Sequence, residues 1–316
     1  MNSHMLNMDP PDHTRLRRLI STAFTRRRME QMRPRIQQIT GELLDAMSDR
    51  DEVDLLEALS TPLPIRVLTE MLGVPDEKAD AFRGWTMTLT ASALPLDKLD
   101  AAATEMLHYT RSLLELKRRE PRADLLSALV AVRDGADRLT EHELTSMVFL
   151  LLIAGQETTV NLIGNAVLAL LASPRQLARL RADADLMPSG IEELLRYDSP
   201  VQVALRFATE PVTLAGVTIP AGSVVLVSLL AANRDAARFD DPDRLDLARA
   251  YNPQLAFGHG IHHCLGAPLA RLEGSIAIGA LLNRFPALRL AVPVEELSWR
   301  VSMVMHGLAR LPVRLR

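Results

Sequence analysis

The segment from Thr140 to Leu171 constrains the fold more than any other part of this sequence. Thr140 and Glu143 have the spacing of a capping box, and Ser173-Pro174 ends the apolar run, so the pattern predicts one helix roughly 48 Å long. Its middle is apolar nearly all round, which predicts that the helix crosses the protein interior. The sequence AGQETT at 154–159 breaks this pattern. Because a buried Glu157 costs free energy unless it is paired, the break indicates a functional site, the alternative being a short solvent-facing strip.

The rest of the chain predicts a mainly helical protein with a small β portion, an α+β fold. A helix-start signal, Asp-Pro-Pro-Asp, stands at 9–12, and β-branched residues separated by Pro and Gly follow Pro200. Further predicted helices span 29–58, 64–72, 76–87, 98–120, 124–133, 174–184, 189–197 and 267–282. Predicted strands span 201–208, 212–214, 217–219 and 224–228, and the tail at 298–316 alternates enough to return as strands.

The near-neutral charge limits the classes of partner. The 316 residues are 48% hydrophobic and 24% charged with a net charge of −3, which is ordinary for a soluble globular domain, here 9–316. This composition argues against wholesale binding to nucleic acid or a membrane, and no unbroken apolar run reaches the roughly 18 residues that span a bilayer. A single cysteine excludes an intrachain disulfide and fits a cytoplasmic location. Residues 1–8 are expected to be a disordered leader left by cloning.

The only cysteine, Cys264, lies in the glycine-rich stretch FGHGIHHCLG at 257–266. Its glycines let the backbone approach something large, and Pro268 suits a helix that begins directly after the loop. The N-terminus of that helix would favour a thiolate over a thiol. From these residues alone, Cys264 is either a buried structural cysteine or a thiolate whose task the loop does not specify.

Charged residues form two further patterns. Residues 13–35 contain eight arginines and one acid, Glu30, which suits a solvated face, nucleic acid, a small anion or an acidic partner. Glu193 and Arg196 stand three residues apart and can pair on one helical face. Most such pairs are surface contacts of small energy, so this spacing by itself is a weak signal.

Together these motifs resemble those of a soluble bacterial cytochrome P450. The family's haem signature F-x-x-G-x-x-x-C-x-G is matched by Phe257, Gly260, Cys264 and Gly266. Its helix motif A/G-G-x-D/E-T-T is matched by Ala154, Gly155, Glu157, Thr158 and Thr159. Its E-x-x-R motif is matched by Glu193 and Arg196, and its PDRxD-like stretch, which carries a partner arginine, by 242–246 with Arg244. The four motifs occur in the family's order.

The resemblance implies a cytochrome P450-like helical fold that binds haem b, with Cys264 as the axial ligand of the haem iron. The cofactor-binding loop would also include Phe257, Gly258 and Gly266. The haem propionates would be bound by His13, Arg17, Arg206 and His262. Ala154 and Gly155 would admit oxygen and substrate, while Glu157 and Thr158 would hold water and relay protons as the catalytic pair. A structural lock would consist of Glu193, Arg196 and Arg244.

The implied activity is that of a haem-thiolate monooxygenase. It would oxidise a small apolar organic substrate, such as a secondary metabolite, with O₂ and with electrons from NAD(P)H through ferredoxin reductase and ferredoxin. An alternative is a haem-binding protein with reduced or lost turnover, acting as a sensor, a carrier or a peroxide-driven enzyme. A third reading is a cysteine hydrolase that pairs Cys264 with His262 or His263.

The sequence departs from the family at its N-terminal end. The resemblance begins at about Asp9, so the family's upstream helices, first strands and distal loop have no counterpart in it. Three expectations follow: a short enzyme with an open pocket, a homo-oligomer in which a neighbour covers the gap, or a shortened protein with weaker haem retention. Apolar surface left exposed on that side would favour association.

Overall fold

Twelve helices make up most of the computed structural model, which describes residues 3–90, 95–134 and 137–316. In chain order the helices described are α1 Asp12–Ser21, α2 Arg26–Gln31, α3 Arg33–Met47, α4 Pro62–Met71, α5 Asp76–Thr90, α6 Leu96–Arg119, α7 Leu125–Ala131, α8 Glu141–Leu171, α9 Pro174–Ala182, α10 Met187–Tyr197, α11 Leu229–Asn233 and α12 Ala267–Arg284. The prediction of a mainly helical protein with a small β portion is confirmed.

Short strands complete the fold. They are β1 Glu52–Asp54, β2 Arg133–Asp134, β3 Asp137–Arg138, β4 Val203–Phe207, β5 Val212–Leu214, β6 Val217–Ile219, β7 Val224–Ser228, β8 Arg289–Leu290 and β9 Pro312–Arg314. The described strands form an antiparallel sheet in the order β1-β9-β8 and the antiparallel pairs β2-β3, β4-β7 and β5-β6. The tail therefore returns as a strand, because Val313 of β9 pairs with both Val53 and Leu290.

α8 is the central element, and its ends are fixed locally. The Thr140 hydroxyl accepts from the Glu143 N–H at 3.2 Å, and the Glu143 carboxylate accepts from the Thr140 N–H at 2.8 Å, which is a complete capping box. Residues 159–170 are buried without interruption. By length and composition α8 could also span a membrane. Its second half, however, has no exposed face to offer to lipid, as expected of a core helix.

Two hydrophobic clusters lie along α8, and α12 contributes to both. The first cluster includes Leu152 with α1 to α7, and the second includes Val167 with α9, α10 and the C-terminal strands. Leu272 of α12 packs in the first cluster and Ile278 in the second. α8 packs directly against α12, so the helix that carries the AGQETT strip and the helix that follows the cysteine loop share one core.

The structure differs from the predicted elements at several boundaries. The helix predicted over 29–58 is divided into α2, α3, β1 and a π-turn at Leu56–Ser60, because Pro34 starts a new helix and β1 pairs with β9. Met5–Asn7 forms a 3₁₀ turn, and Met5 is buried in the first cluster. This differs from the expectation that residues 1–8 stay outside the fold, of which Met1 and Asn2 lie outside the described residues.

Apolar side chains are exposed on the strand pairs. Phe207 of β4, Val217 of β6 and Val224 of β7 are 69%, 66% and 57% exposed. The expectation of apolar surface exposed on the N-terminal side, and of a homo-oligomer that covers it, stays a prediction.

α12 also carries a buried acid, Glu273, which gives a testable pH dependence of stability. It is 1% exposed, its Oε2 has no hydrogen-bond partner among the described residues, and burial raises its pKa to about 8. Between the ordinary carboxyl pKa of about 4.3 and about 8, the unfolded chain loses this proton while the folded chain keeps it. As the pH rises through that window, the free energy of unfolding should therefore fall by about 1.4 kcal/mol per pH unit.

Glu273→Gln keeps the size of the side chain and is neutral at every pH. It should therefore remove the part of the pH dependence of unfolding that Glu273 causes. Urea unfolding of both proteins at several pH values between 5 and 8 measures the difference. An identical pH dependence in the two proteins would show that Glu273 is not protonated in the folded state.

Candidate active site

The cysteine loop is closed by backbone hydrogen bonds. Cys264 N–H donates to the Phe257 carbonyl at 2.9 Å, and His263 N–H donates to the Gly260 carbonyl at 3.0 Å. Gly258 and Gly260 have φ of +72° and +73°, a conformation that favours glycine. α12 begins directly after Gly266, with a proline in its first turn. The loop thus presents Cys264 with an exposed side chain at the helix N-terminus.

Two opposing effects act on the Cys264 thiol. The surrounding protein raises its pKa, while backbone N–H groups of Gly266 and Ala267 and the charges of Arg17 and Arg271 lower it. Although the Cys264 side chain reaches the surface, the protein around it raises the pKa of the thiol, which does not suit the activated nucleophile of a hydrolase. No hydrogen bond joins it to His262 or His263 in the part of the chain that the structure describes, which argues against a Cys–His hydrolase. The same N–H groups and cations suit a thiolate that is bound to a metal.

Four predicted anion-binding residues meet beside this loop, from α1, β4 and the loop itself. His13 and His262 have ring centroids 4.4 Å apart, and Arg17 Nη2 donates to the His263 carbonyl at 2.7 Å. Burial is the main cause that lowers the pKa of both histidines, and the charge of Arg206 also acts on His262. The structure therefore brings together residues that are far apart in the sequence.

His13 tests whether this cluster fits a ligand. It is 2% exposed, and both ring nitrogens are buried with no hydrogen-bond partner among the described residues. A buried polar group without a partner is rare in a native protein and points to a ligand or water. Unpaired imidazole nitrogens beside two arginines suit carboxylate groups, and the exposed Cys264 lies in the adjoining loop. These residues fit haem b, whose propionates are carboxylates and whose iron accepts a thiolate.

The AGQETT strip of α8 is only partly open, since Gln156 and Thr159 are each 3% exposed. Ala154 is exposed and Gly155 is partly buried. A Cβ at Gly155 would lie 3.1 Å from a methyl of Leu68, so a larger residue would press on α4. This part of α8 is therefore open at Ala154, while its backbone at Gly155 lies close to Leu68 of α4.

Two threonines of the strip bond back to the helix. Thr158 Oγ1 donates to the Ala154 carbonyl at 2.6 Å, and Thr159 Oγ1 donates to the Gly155 carbonyl at 3.0 Å. Such bonds locally weaken the regular helix. Because the Thr158 proton is used in this bond, its oxygen remains able to accept a hydrogen bond from water.

Glu157 has a partner that the sequence did not indicate. Its Oε1 lies 3.6 Å from Nη1 of Arg300, with the two side chains 16% and 25% exposed. Burial raises the pKa of Glu157, and the charge of Arg300 lowers it. The sequence around Arg300 contains no motif, so it does not indicate that Arg300 is the partner of Glu157.

The Glu193–Arg196 pair is fully buried, with both side chains 0% exposed. Arg196 Nε and Nη2 donate to the two Glu193 oxygens at 2.7 and 2.8 Å, a bidentate pair. Arg196 Nη1 also donates to the carbonyls of Asn233 and Pro242 at 2.9 and 2.8 Å. The pair therefore ties α10 to α11 and to the long loop before Cys264.

The expectation that Arg244 completes this lock is wrong. Arg249 Nε lies 3.0 Å from Glu193 Oε2, whereas the Arg244 side chain is 61% exposed and pairs with Asp241. Arg244 contributes only its backbone carbonyl, which accepts from Arg196 at 3.2 Å. The physical reason is that the next residue, Leu245, is buried in the second cluster, and Arg244 points to solvent.

Arg271 of α12 is a further contact of the cysteine loop. Its guanidinium lies over the Phe257 ring, 4.5 Å from the centroid, and its Nη2 donates to Glu192 at 2.9 Å. The pKa of Glu192 is lowered because hydrogen bonds from Arg271 and Gln254 outweigh the opposing effect of burial. Phe257 is thus held by α12 and α10 as well as by its own loop.

Comparison with known proteins shows the family of this chain. The family model described as "Cytochrome P450" matches residues 90–296. Cytochrome P450 107B1 of Saccharopolyspora erythraea is 54% identical, covering 99% of this chain and 78% of the relative. Vitamin D(3) 25-hydroxylase of Pseudonocardia autotrophica is 50% identical, covering 98% and 77%.

A solved structure shares the fold throughout. The ligand-free P450 monooxygenase TamI superposes with a TM-score of 0.95 at 52% identity, covering 99% of this chain and 76% of TamI. TamI with tirandamycin C bound gives a TM-score of 0.90. This chain therefore belongs to the cytochrome P450 family and is a haem b-dependent monooxygenase.

Proposed function

We propose that this monooxygenase inserts one oxygen atom from O₂ into an apolar natural product, with electrons delivered from NAD(P)H by ferredoxin reductase and ferredoxin. The observation that carries the proposal is the exposed Cys264 beside a cluster that includes His13 with two unpartnered buried nitrogens. When bound there, haem supplies the chemistry of O₂ activation, which a thiolate ligand favours.

Each residue has a distinct role in this proposal. Cys264 would bind the haem iron, in the loop formed by Phe257, Gly258, Gly260 and Gly266. The propionates would be held by His13, Arg17, Arg206 and His262. The exposed surface at Ala154 and the small Gly155 leave space for oxygen and substrate.

Glu157 and Thr158 would move protons on the α8 side. The partly buried Glu157 carboxyl can hold a proton, because burial favours its neutral form. The Thr158 oxygen can accept a hydrogen bond from a water molecule while its own hydroxyl proton is donated to the Ala154 carbonyl. A proton can then pass from Glu157 to a water molecule at Thr158 Oγ1, which would give up one of its own protons to the oxygen substrate as that is reduced, and Glu157 regains a proton from solvent.

Thr158→Ala gives a prediction with a matched control. It should lower the product formed per NADPH by about tenfold and release more hydrogen peroxide, because the water-holding oxygen is lost. Thr159→Ala removes an equivalent back-bonding hydroxyl from the adjacent position, where the side chain is buried, and should leave this ratio nearly unchanged. Equal coupling in both variants would exclude a proton role for Thr158. Product, peroxide and NADPH consumption are measured together.

The positive charge near the cysteine loop indicates the kind of electron donor, and the similar proteins indicate the kind of substrate. The arginine-rich α1 adjoins the cysteine loop through Arg17, which suits an acidic ferredoxin. One relative is named for vitamin D(3), and TamI binds tirandamycin C, so we expect a rigid apolar substrate of secondary-metabolite type. A cytoplasmic location remains part of the proposal.

The test combines a ferredoxin system, NADPH and a panel of apolar natural products with the haem-loaded protein. We expect product containing one atom from labelled O₂, and a rate that falls as salt screens the ferredoxin contact. Full haem loading without consumption of O₂ or peroxide over the panel would instead favour a carrier or sensor.

A further inference from the structure

The C-terminal segment 298–309 packs along one face of α8. Glu157, Asn161 and Asn165 are spaced four residues apart, so they share this face. Asn165 Nδ2 donates to the His306 carbonyl at 3.0 Å, and Asn161 lies so close to Gly307 that no side chain would fit there. Asn161 and Asn165 are 2% and 1% exposed. The Asn165 hydrogen bond and the close approach of Asn161 to Gly307 therefore hold the segment against α8.

Contacts within the C-terminal segment fix the position of Arg300. Its backbone N–H donates to the Gly307 carbonyl at 2.9 Å, and its Nε donates to the Leu308 carbonyl at 3.1 Å. The segment is further held by His306, whose Nε2 lies 2.8 Å from Asp198 and whose ring stacks on Trp299 at 4.1 Å. The guanidinium is thus placed by the backbone of its own segment, independently of Glu157.

The contact with Glu157 is one of charge. Arg300 Nη1 and Glu157 Oε1 are 3.6 Å apart, beyond a direct hydrogen bond, so the carboxylate oxygens stay free for water. Burial raises the pKa of Glu157 and Arg300 opposes it; among the described residues, Arg300 is the charged group that acts on it. Two opposed effects of this kind suit a group that must both release and regain a proton.

We infer that Arg300 is a positioning residue for proton delivery, orienting the Glu157 carboxyl by its charge and keeping it able to exchange its proton. The inference rests on the proposed role of Glu157. It assigns a task to the C-terminal segment, which carries no motif: the segment supplies the fixed cation that α8 lacks at this turn.

The test compares Arg300→Met, Arg300→Lys, Glu157→Gln and the double variant Glu157→Gln/Arg300→Met. The readouts are product per NADPH, peroxide release and the pH dependence of both. Arg310→Met is the matched control, because Arg310 is another C-terminal arginine paired with an acid, Asp54 at 3.2 Å. Thermal unfolding and the reduced CO-bound spectrum are recorded for every variant.

We expect Glu157→Gln and Arg300→Met each to lower coupling by about tenfold, and Arg300→Lys to recover at least half of the loss. Arg300→Met should move the alkaline limb of the coupling profile, where Glu157 loses the proton that it delivers, to higher pH, because the cation that favours the carboxylate is gone. In the Glu157→Gln background Arg300→Met should add nothing.

The outcomes separate the role of Arg300 from the proton relay through Glu157 and Thr158. Normal coupling in Arg300→Met alongside poor coupling in Glu157→Gln would overturn the inference and leave the relay intact. Normal coupling in Glu157→Gln would overturn the relay itself, and the inference with it. Additive losses in the double variant would also overturn the inference, since Arg300 would then act by another route.

Discussion

Cys264→Ala is expected to abolish the thiolate-type Soret band of the reduced, CO-bound protein and, with it, all monooxygenase activity. The sequence contains no other cysteine, so no second thiolate can replace the lost one. Electron donation from the thiolate favours O–O cleavage, and an alanine offers no donor. The spectrum of the haem-loaded variant and product formation with ferredoxin and NADPH measure the two effects.

A histidine variant in the same loop provides the control for this prediction. His259 is exposed in the same loop and has no assigned role, so His259→Ala should keep the band and the activity. We expect Cys264→Ala to bind haem through His13, Arg17, Arg206 and His262, so that the haem content separates loss of ligation from loss of binding. An unchanged thiolate-type band in Cys264→Ala would contradict the assignment of the iron ligand.

Arg249→Ala is expected to destabilise the fold by about 3 kcal/mol, whereas Arg244→Ala should change the free energy of unfolding by less than about 0.5 kcal/mol. The Arg249 side chain is 9% exposed and contacts the fully buried Glu193, so its removal leaves a buried carboxylate with one cation fewer. Arg196 remains bidentate to Glu193, which keeps the expected cost at the lower end of the range for a broken buried pair.

The comparison is sharp because the two arginines lie five residues apart in one loop. Urea unfolding gives the free energies, and haem content after purification reports whether the loop before Cys264 is still placed. Equal destabilisation by the two substitutions would mean that Arg249 does not complete the lock. Glu193→Gln should be at least as costly as Arg249→Ala, because Glu193 also accepts from Asn252 and from the Asp246 N–H.

Several features were predicted correctly because they depend on neighbours in the sequence. The capping box at Thr140 fixes the start of α8, and the apolar run predicts a core helix. The glycines of the cysteine loop predict the turn that presents Cys264, and the i, i+3 spacing predicts the Glu193–Arg196 pair. The motifs were sufficient to identify the family, which the comparisons confirm.

Other features depend on contacts between distant segments, and these were missed. β1 was predicted as helix because its strand partner, β9, lies at the other end of the chain. Arg249 and Arg300 were not identified, since many arginines could have reached Glu193 or Glu157 and no local pattern ranks them. The burial of Leu245 beside Arg244 is likewise a property of the packed core.

The sequence by itself determined the family, the glycine-rich cysteine loop, the central helix and the polar strip within it. These follow from spacing within a few residues, where backbone geometry and helix caps act. Only the tertiary structure decided which cation meets each buried carboxylate, and that His13 and His262 meet at 4.4 Å beside Cys264. The physical reason is that charge and burial act through space, so a partner is chosen by the packing of α8, α12 and the C-terminal segment rather than by its place in the chain.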